Sequence, residues 1–117
     1  MKDGNSFGLF YSDKSEQRTI ETLLEGLEEH TKVSLLNLRL FVKSLGDNVI
    51  EEVRPHRLVY AKSLTFRTFL DIKTGNNYLS ISIMRGRNEP VTNYTIRATQ
   101  GVEDIKREIA EAYKKIK

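Results

Sequence analysis

The sequence predicts a single α+β domain with two N-terminal helices, an antiparallel sheet of four to five strands, and a C-terminal helix packed on one sheet face. Three observations predict it. Apolar residues recur about every 3.6 positions before Gly46, every second position after Asn48, and again at helical spacing after Gly101. We expect residues 16–117 to form this domain and residues 1–15 to form a flexible tail.

The helices are predicted from their ends and their apolar spacing. Ser15 resembles a capping serine for the first helix, Thr31 a cap for the second, and Gly46 is a typical terminator. The C-terminal helix follows Gly101, with acids in its first turn and lysines in its last, as the helix dipole favours. Its apolar stripe predicts a core-facing side, comprising Val102, Ile105, Ile109, Ala112, Tyr113 and Ile116.

Segments rich in β-branched and aromatic residues predict strands at 49–53, 57–62, 64–73, 78–85 and 94–99. The turn 74–77 contains Gly75 and two asparagines, which is typical of a hairpin. Alternation along the strands predicts a core face with Phe66, Leu70, Ile72, Leu79, Ile81, Ile83, Tyr94, Ile96 and Ala98. The opposite face is predicted to carry Thr65, Arg67, Phe69, Asp71, Lys73, Tyr78, Ser80, Ser82, Met84, Thr95, Arg97 and Thr99.

Composition narrows the function classes. The chain has no cysteine, which excludes disulfides, thiolate nucleophiles and cysteine-bound metals. No apolar run approaches the length of a membrane-spanning helix, so we expect a cytoplasmic protein without a membrane partner. The net charge is only +3, but basic residues outnumber acidic ones between Arg54 and Arg97. No cofactor-binding fingerprint is present, and we predict no cofactor.

Several short segments stand in an order known from one family. They are His30-Thr-Lys, the predicted helix 35–45, Gly46-Asp47-x-Val49-x-Glu51, Tyr60-Ala-Lys, Phe69-Leu-Asp-Ile72, Leu79-x-Ile-x-Ile83, Val102-x-Asp-Ile105 and Ala112-Tyr113. Over residues 23–117 the chain resembles the domain of unknown function often labelled "predicted transport protein", found alone or at the C-terminal end of restriction-type nuclease chains. The resemblance implies an α+β fold and an association with defence nucleases, and it implies no catalytic residues.

Two sets of residues resemble parts of catalytic or metal sites. Asp71-Ile-Lys73 matches half of a magnesium-nuclease motif, for which Glu51 or Glu52 would have to supply the second carboxylate. A cross-strand charge pair on an exposed strand is the favoured interpretation, because a hairpin turn follows Lys73 where such nucleases usually have a helix. His30 and His56 have no partner at metal-ligand spacing. We therefore predict no catalytic and no metal-binding residues, and the nuclease is a remote alternative.

The sequence favours a noncatalytic binding or accessory module. The leading interpretation is a protein-interaction or homodimerisation domain, because Phe69, Tyr78 and Met84 are predicted to share one face. The alternative is a nucleic-acid-binding face in which rings stack on bases and cations contact phosphates. The residues predicted for it are Arg67, Phe69, Lys73, Tyr78, Arg85, Arg87 and Arg97.

Overall fold

A computed structural model describes residues 19–97 and 102–116. Within them the predicted α+β class is confirmed, with three helices and a five-stranded antiparallel sheet. The tail predicted at 1–15, the Ser15 cap, Ala98 and Thr99 lie outside the described residues. The elements are α1 (Ile20–Leu24), α2 (Glu29–Lys43), β1 (Val49–Arg54), β2 (Arg57–Lys62), β3 (Arg67–Thr74), β4 (Leu79–Ile83), β5 (Thr92–Ile96) and α3 (Val102–Lys115).

The described N-terminal helices begin at Ile20 and Glu29. The Thr19 hydroxyl caps α1 by accepting a hydrogen bond from the Thr22 backbone N–H at 3.2 Å. The N-cap of α2 is Glu28, which makes no side-chain capping bond. Thr31 is buried inside the first turn of α2, so its predicted role as a cap is wrong.

The sheet is a meander in which each strand pairs with its sequence neighbours, in the order β1-β2-β3-β4-β5. Pro55 and His56 alone connect β1 to β2, since Arg54 pairs with Arg57. His56 has a φ of 60°, as the second central residue of a tight turn after proline often requires. Short connections of this kind keep the five strands adjacent.

One core lies between the sheet and the helices. Leu35, Leu38 and Val42 from α2 and Ile105 and Ile109 from α3 share a cluster with alternate residues of the strands. As predicted, the buried strand residues include Leu70, Ile72, Leu79, Ile81, Ile83 and Ile96. The opposite sheet face therefore carries the intervening side chains, and no described helix residue belongs to a cluster on that face.

None of the helices that the structure describes has both the length and the apolar composition needed to cross a membrane.

Candidate functional site

A β-bulge in β3 determines which side chains the sheet presents. Tyr60 of β2 pairs with Leu70, but the next residue, Ala61, pairs with Thr68, so Phe69 has no partner on β2. An unpaired extra residue rotates the strand locally and moves its side chain to the other face. Phe69 is fully buried, and its ring meets that of Tyr113 edge to face at 5.4 Å. The predicted exposure of Phe69 is therefore wrong, and it cannot stack on a base.

The loop before β3, in contrast to the buried Phe69, exposes its apolar side chains. Residues 63–66 form a hairpin loop, here called the β2–β3 tip, in which Leu64 is 82% and Phe66 75% exposed. Phe66 has a φ of 55°, a conformation that large L-residues rarely adopt. The prediction that Phe66 belongs to the core is wrong, because the strand begins only at Arg67.

Arg85 forms an internal link between β5 and α3. Its guanidinium donates hydrogen bonds to Glu108 and Thr92, both at 2.7 Å. The Tyr94 hydroxyl donates a further hydrogen bond to Glu108. The bonds from Tyr94 and Arg85 lower the pKa of the Glu108 carboxyl. Only 16% of the Arg85 side chain is exposed, so this predicted phosphate contact is occupied within the protein.

Arg67 and Arg87 come together at the same end of the sheet. They line a groove of about 340 Å³ with Thr68, Met84, Gly86 and Ile116. Both arginines are exposed, and among the described residues no carboxylate lies within 4.0 Å of either guanidinium. Glu89, in the same loop as Arg87, instead pairs with Lys115 at 3.3 Å. We call this site the Arg67–Arg87 groove.

The other predicted binding residues lie at the far end of β3 and β4. The Arg97 guanidinium stands 5.6 Å from the centre of the Tyr78 ring, and Lys73 is exposed near the end of β3. Lys73 follows Arg67 by six residues, which corresponds to roughly 20 Å along a strand. The seven predicted residues therefore fall into four groups. They are Arg67 and Arg87 at one end of the sheet, Lys73, Tyr78 and Arg97 at the other end, Arg85 in an internal ion pair, and Phe69 in the core.

The residues predicted for a shared dimer face are separated in the same way. Phe69 is in the core, Met84 lines the Arg67–Arg87 groove, and Tyr78 stacks with Arg97 beyond the opposite end of β4. A dimer contact built on these three side chains together is therefore excluded by their positions.

The acids considered for a nuclease site do not converge. Glu51 is the register partner of Tyr60 on the core side, whereas Asp71 pairs with Val59 on the other face. Asp71 lies 3.3 Å from Arg57. Glu52 shares that face but binds Arg54 at 2.9 Å, and it is two strands away, roughly 10 Å. Within the described residues, no three acidic or histidine side chains cluster as metal ligands would.

Glu51 is the centre of a polar cluster that joins α2 to the sheet. It accepts hydrogen bonds from Arg39 at 2.8 and 3.1 Å and from Tyr60 at 2.7 Å, and Lys43 lies 3.4 Å away. Burial by itself raises the pKa of the Glu51 carboxyl, but the bonds from Arg39 and Tyr60 outweigh it and lower the pKa overall. Burial and the Glu51 carboxylate raise the pKa of the Tyr60 hydroxyl.

A second cavity, of about 560 Å³, lies between α1 and two hairpin turns. Leu23, Arg54, His56 and Thr74 are among the residues that line it. His30 is elsewhere, 3.6 Å from Glu28. The cavity is lined by both apolar and polar side chains. Among the described residues that line it, none forms a nucleophile–base pair with His56.

Two exposed apolar features escaped the sequence analysis. One is the β2–β3 tip, and the other is the outer side of α2, where Val33, Leu36 and Leu40 are 49%, 36% and 71% exposed. The sequence of α2 does contain a signal for its exposed apolar side. Its apolar residues occupy more than one side of a helical wheel, which is wider than a single core-facing stripe requires.

No family model, curated protein or solved structure matches this chain, so the resemblance to a family of unknown function stays a prediction.

Proposed function

We propose that this domain is a noncatalytic binding module and that a single-stranded nucleic acid binds in the Arg67–Arg87 groove. The observation that supports this proposal most directly is the convergence of two exposed arginines, both without a described carboxylate partner, on one groove. Both residues were predicted from the sequence as phosphate contacts, and the groove is where the fold brings them together.

The distribution of ion pairs distinguishes these arginines from most others. A guanidinium that already binds a carboxylate has little to gain from a phosphate, whereas an unpaired exposed one keeps its donors available. The described arginines with a carboxylate within 4.0 Å are Arg39, Arg54, Arg57, Arg85 and Arg107. Arg67 and Arg87 thus supply the cationic surface at this end of the sheet.

The rest of the groove suits a sugar–phosphate strand. Thr68 offers a hydroxyl, while Met84 and Ile116 add apolar side chains to the lining of the groove. Ile116 is held in place because Lys62 donates a hydrogen bond to its carbonyl at 2.6 Å and lies over the Tyr113 ring. A lining that is fixed in this way reduces the ordering that binding requires.

Phe66 supplies the aromatic surface that Phe69 cannot. It directly precedes Arg67, and its ring is largely exposed. Base stacking on an exposed ring is tolerant of sequence, so a site of this type binds single strands without strong base preference. The positive φ of Phe66 costs stability, and such strain is often retained where a side chain serves binding.

The test is binding of labelled single-stranded DNA and RNA at about 50 mM and about 200 mM salt. Arg67→Gln with Arg87→Gln should weaken binding at least about tenfold and reduce the slope of log affinity against log salt by roughly 1.4, as expected for two lost phosphate contacts. Phe66→Ala should weaken binding with little change in that slope, because stacking involves no counterion release.

Two matched controls remove the same charge elsewhere. Arg54→Gln with Arg107→Gln removes two exposed arginines that have carboxylate partners, and Lys73→Gln with Arg97→Gln removes two cations at the far end of the sheet. Equal losses in all three pairs would show unspecific charge attraction. A loss confined to the Lys73–Arg97 pair would move the site to that end. Magnesium-dependent cleavage abolished by Asp71→Ala would contradict the noncatalytic assignment.

A further inference from the structure

The outer side of α2 exposes a regular row of side chains. Glu29, Val33, Leu36, Leu40 and Lys43 are all exposed and follow one another at steps of four, three, four and three residues. This spacing places them along one line of the helix, as in the contact seam of paired helices. We call these five residues the α2 seam.

The opposite side of α2 packs into the core of the domain. Leu35, Leu38 and Val42 are fully buried in the core, so the α2 seam is not needed to attach the helix to the sheet. Three neighbouring exposed aliphatic residues bounded by charges are typical of a surface that contacts another protein.

The order of charges along the α2 seam makes it self-complementary. It begins with an acid, Glu29, has Leu36 at its centre, and ends with a base, Lys43, whose side chain lies 3.4 Å from Glu51 but remains 46% exposed. A two-fold axis beside Leu36 would place a second copy of the seam antiparallel to the first. Val33 would then lie near the second copy's Leu40, and Glu29 near its Lys43. A parallel pair would bring like charges together at both ends, which is unfavourable.

We propose that α2 binds α2 of a second copy of this chain in an antiparallel, two-fold symmetric pair. Such an interface needs only one self-complementary surface, and two-fold dimers are the commonest oligomers. The charge order of the α2 seam is the observation that selects a second copy of the chain over an unrelated partner.

The α2 seam is held rigidly enough to act as an interface. Arg39, on the same helix, binds Glu51 of β1 through two hydrogen bonds, and Glu51 is also bound by Tyr60 of β2. Because this cluster and the core both fix α2, little ordering accompanies association. No seam residue lines the Arg67–Arg87 groove, so dimerisation and groove binding can be tested separately.

The size of the surface limits the affinity. A helix of 15 residues is roughly 22 Å long, and one pair of such helices buries less than the roughly 1,200 Å² of a standard stable interface. We therefore expect a weak, concentration-dependent dimer with a dissociation constant on the order of 100 µM.

Sedimentation equilibrium from about 10 µM to about 1 mM tests the association. The unaltered chain should pass from monomer to dimer, and Leu36→Glu should raise the dissociation constant at least about tenfold by placing like charges at the axis. Leu64→Glu is the matched control, because Leu64 is an equally apolar and more exposed residue outside the seam. A chain that stays monomeric throughout, or equal effects of both variants, would overturn the proposal.

Cysteine cross-linking tests the orientation without inserting a charge. The chain has no cysteine of its own, so each engineered thiol gives an unambiguous product. Leu36→Cys should form a disulfide with itself, and Glu29→Cys should cross-link to Lys43→Cys when the two variants are mixed but not to itself. Efficient self-linking of Glu29→Cys without a mixed product would show a parallel pair and contradict the proposed antiparallel arrangement. Circular dichroism confirms that each variant is folded.

Discussion

Two neighbouring regions of the chain place the same residue type in opposite environments. In the β2–β3 tip, Phe66 is 75% exposed at a φ of 55°, whereas in the bulged part of β3, Phe69 is fully buried against Tyr113. The difference comes from backbone geometry, since the loop points Phe66 outward and the bulge turns Phe69 inward. An aromatic residue near a basic one therefore indicates a binding surface only once its backbone is known.

Two arginines in the loop between β4 and β5 show the same contrast. Arg85 and Arg87 are two residues apart, yet Arg85 is bound by Glu108 and Arg87 lines the groove. Phe69 and Arg85 thus contribute to the stability of the fold, whereas Phe66 and Arg87 remain accessible at the same end of the sheet. Substitutions that separate these two roles test the contrast directly.

The largest expected effect is that of Phe69→Ala. Removing a fully buried phenylalanine leaves a cavity in the core, so we expect the free energy of unfolding to fall by about 3–4 kcal/mol. Urea denaturation followed by circular dichroism measures this change.

Phe66→Gly is the contrasting variant, and it should change the free energy of unfolding in the opposite direction. Glycine adopts a positive φ without strain, so a gain of about 0.5–1 kcal/mol is expected. A loss of several kcal/mol in Phe66→Gly, or none in Phe69→Ala, would contradict the opposite environments assigned to these two side chains.

An intermediate effect is expected for Glu51→Gln. This change removes the carboxylate that holds Arg39 and Tyr60, and the free energy of unfolding should fall by about 2 kcal/mol at neutral pH. Because folding lowers the pKa of Glu51, its contribution is fully present above the ordinary value of 4.5 and is lost as pH falls through the lower folded value.

Denaturation midpoints from pH 7 to about pH 3 check this dependence. The difference between the unaltered chain and Glu51→Gln should shrink as the solution becomes acidic. Glu52→Gln is the control, because Glu52 is exposed and pairs with Arg54, which is also exposed. A pH-independent difference would mean that the carboxylate charge of Glu51 does not stabilise the fold.

The smallest effect separates Arg85 from Arg87. Arg85→Gln should lower the free energy of unfolding by about 1 kcal/mol, since it breaks the link to Glu108 and Thr92. Arg87→Gln should change it by less than about 0.5 kcal/mol, as is usual for exposed residues. Thermal and urea denaturation distinguish the two, and equal values would remove the distinction between the arginine bound by Glu108 and the arginine that lines the groove.

The predictable part of the fold rests on local patterns. The strand bounds of β2 agree with the prediction at both ends, and the hydrophobic alternation of β4 identifies its buried residues correctly. The start of α2 was misplaced, because Thr31 satisfies a capping pattern but lies within the helix, buried by the core. A capping residue and a buried threonine look alike in one sequence.

The candidate site was predictable only in part. Arg67 and Arg87 were identified from the local charge surplus, and both line one groove. Phe69 and Arg85 share the same local features, yet a bulge and a distant carboxylate remove them from the surface. The outward direction of Leu36 and Leu40 was likewise hidden, since an apolar helical position does not reveal which side meets the core.

Local sequence patterns predict the order of helices and strands, the antiparallel character of the sheet, the hairpin turn at 74–77 and the basic character of the middle of the chain, because each depends on residues close together in the chain. Tertiary contacts establish which face Phe69 occupies, which arginines bind a carboxylate and which side of α2 is exposed. Those outcomes depend on pairing between separate strands and on contacts such as Arg85 with Glu108, which lie 23 residues apart.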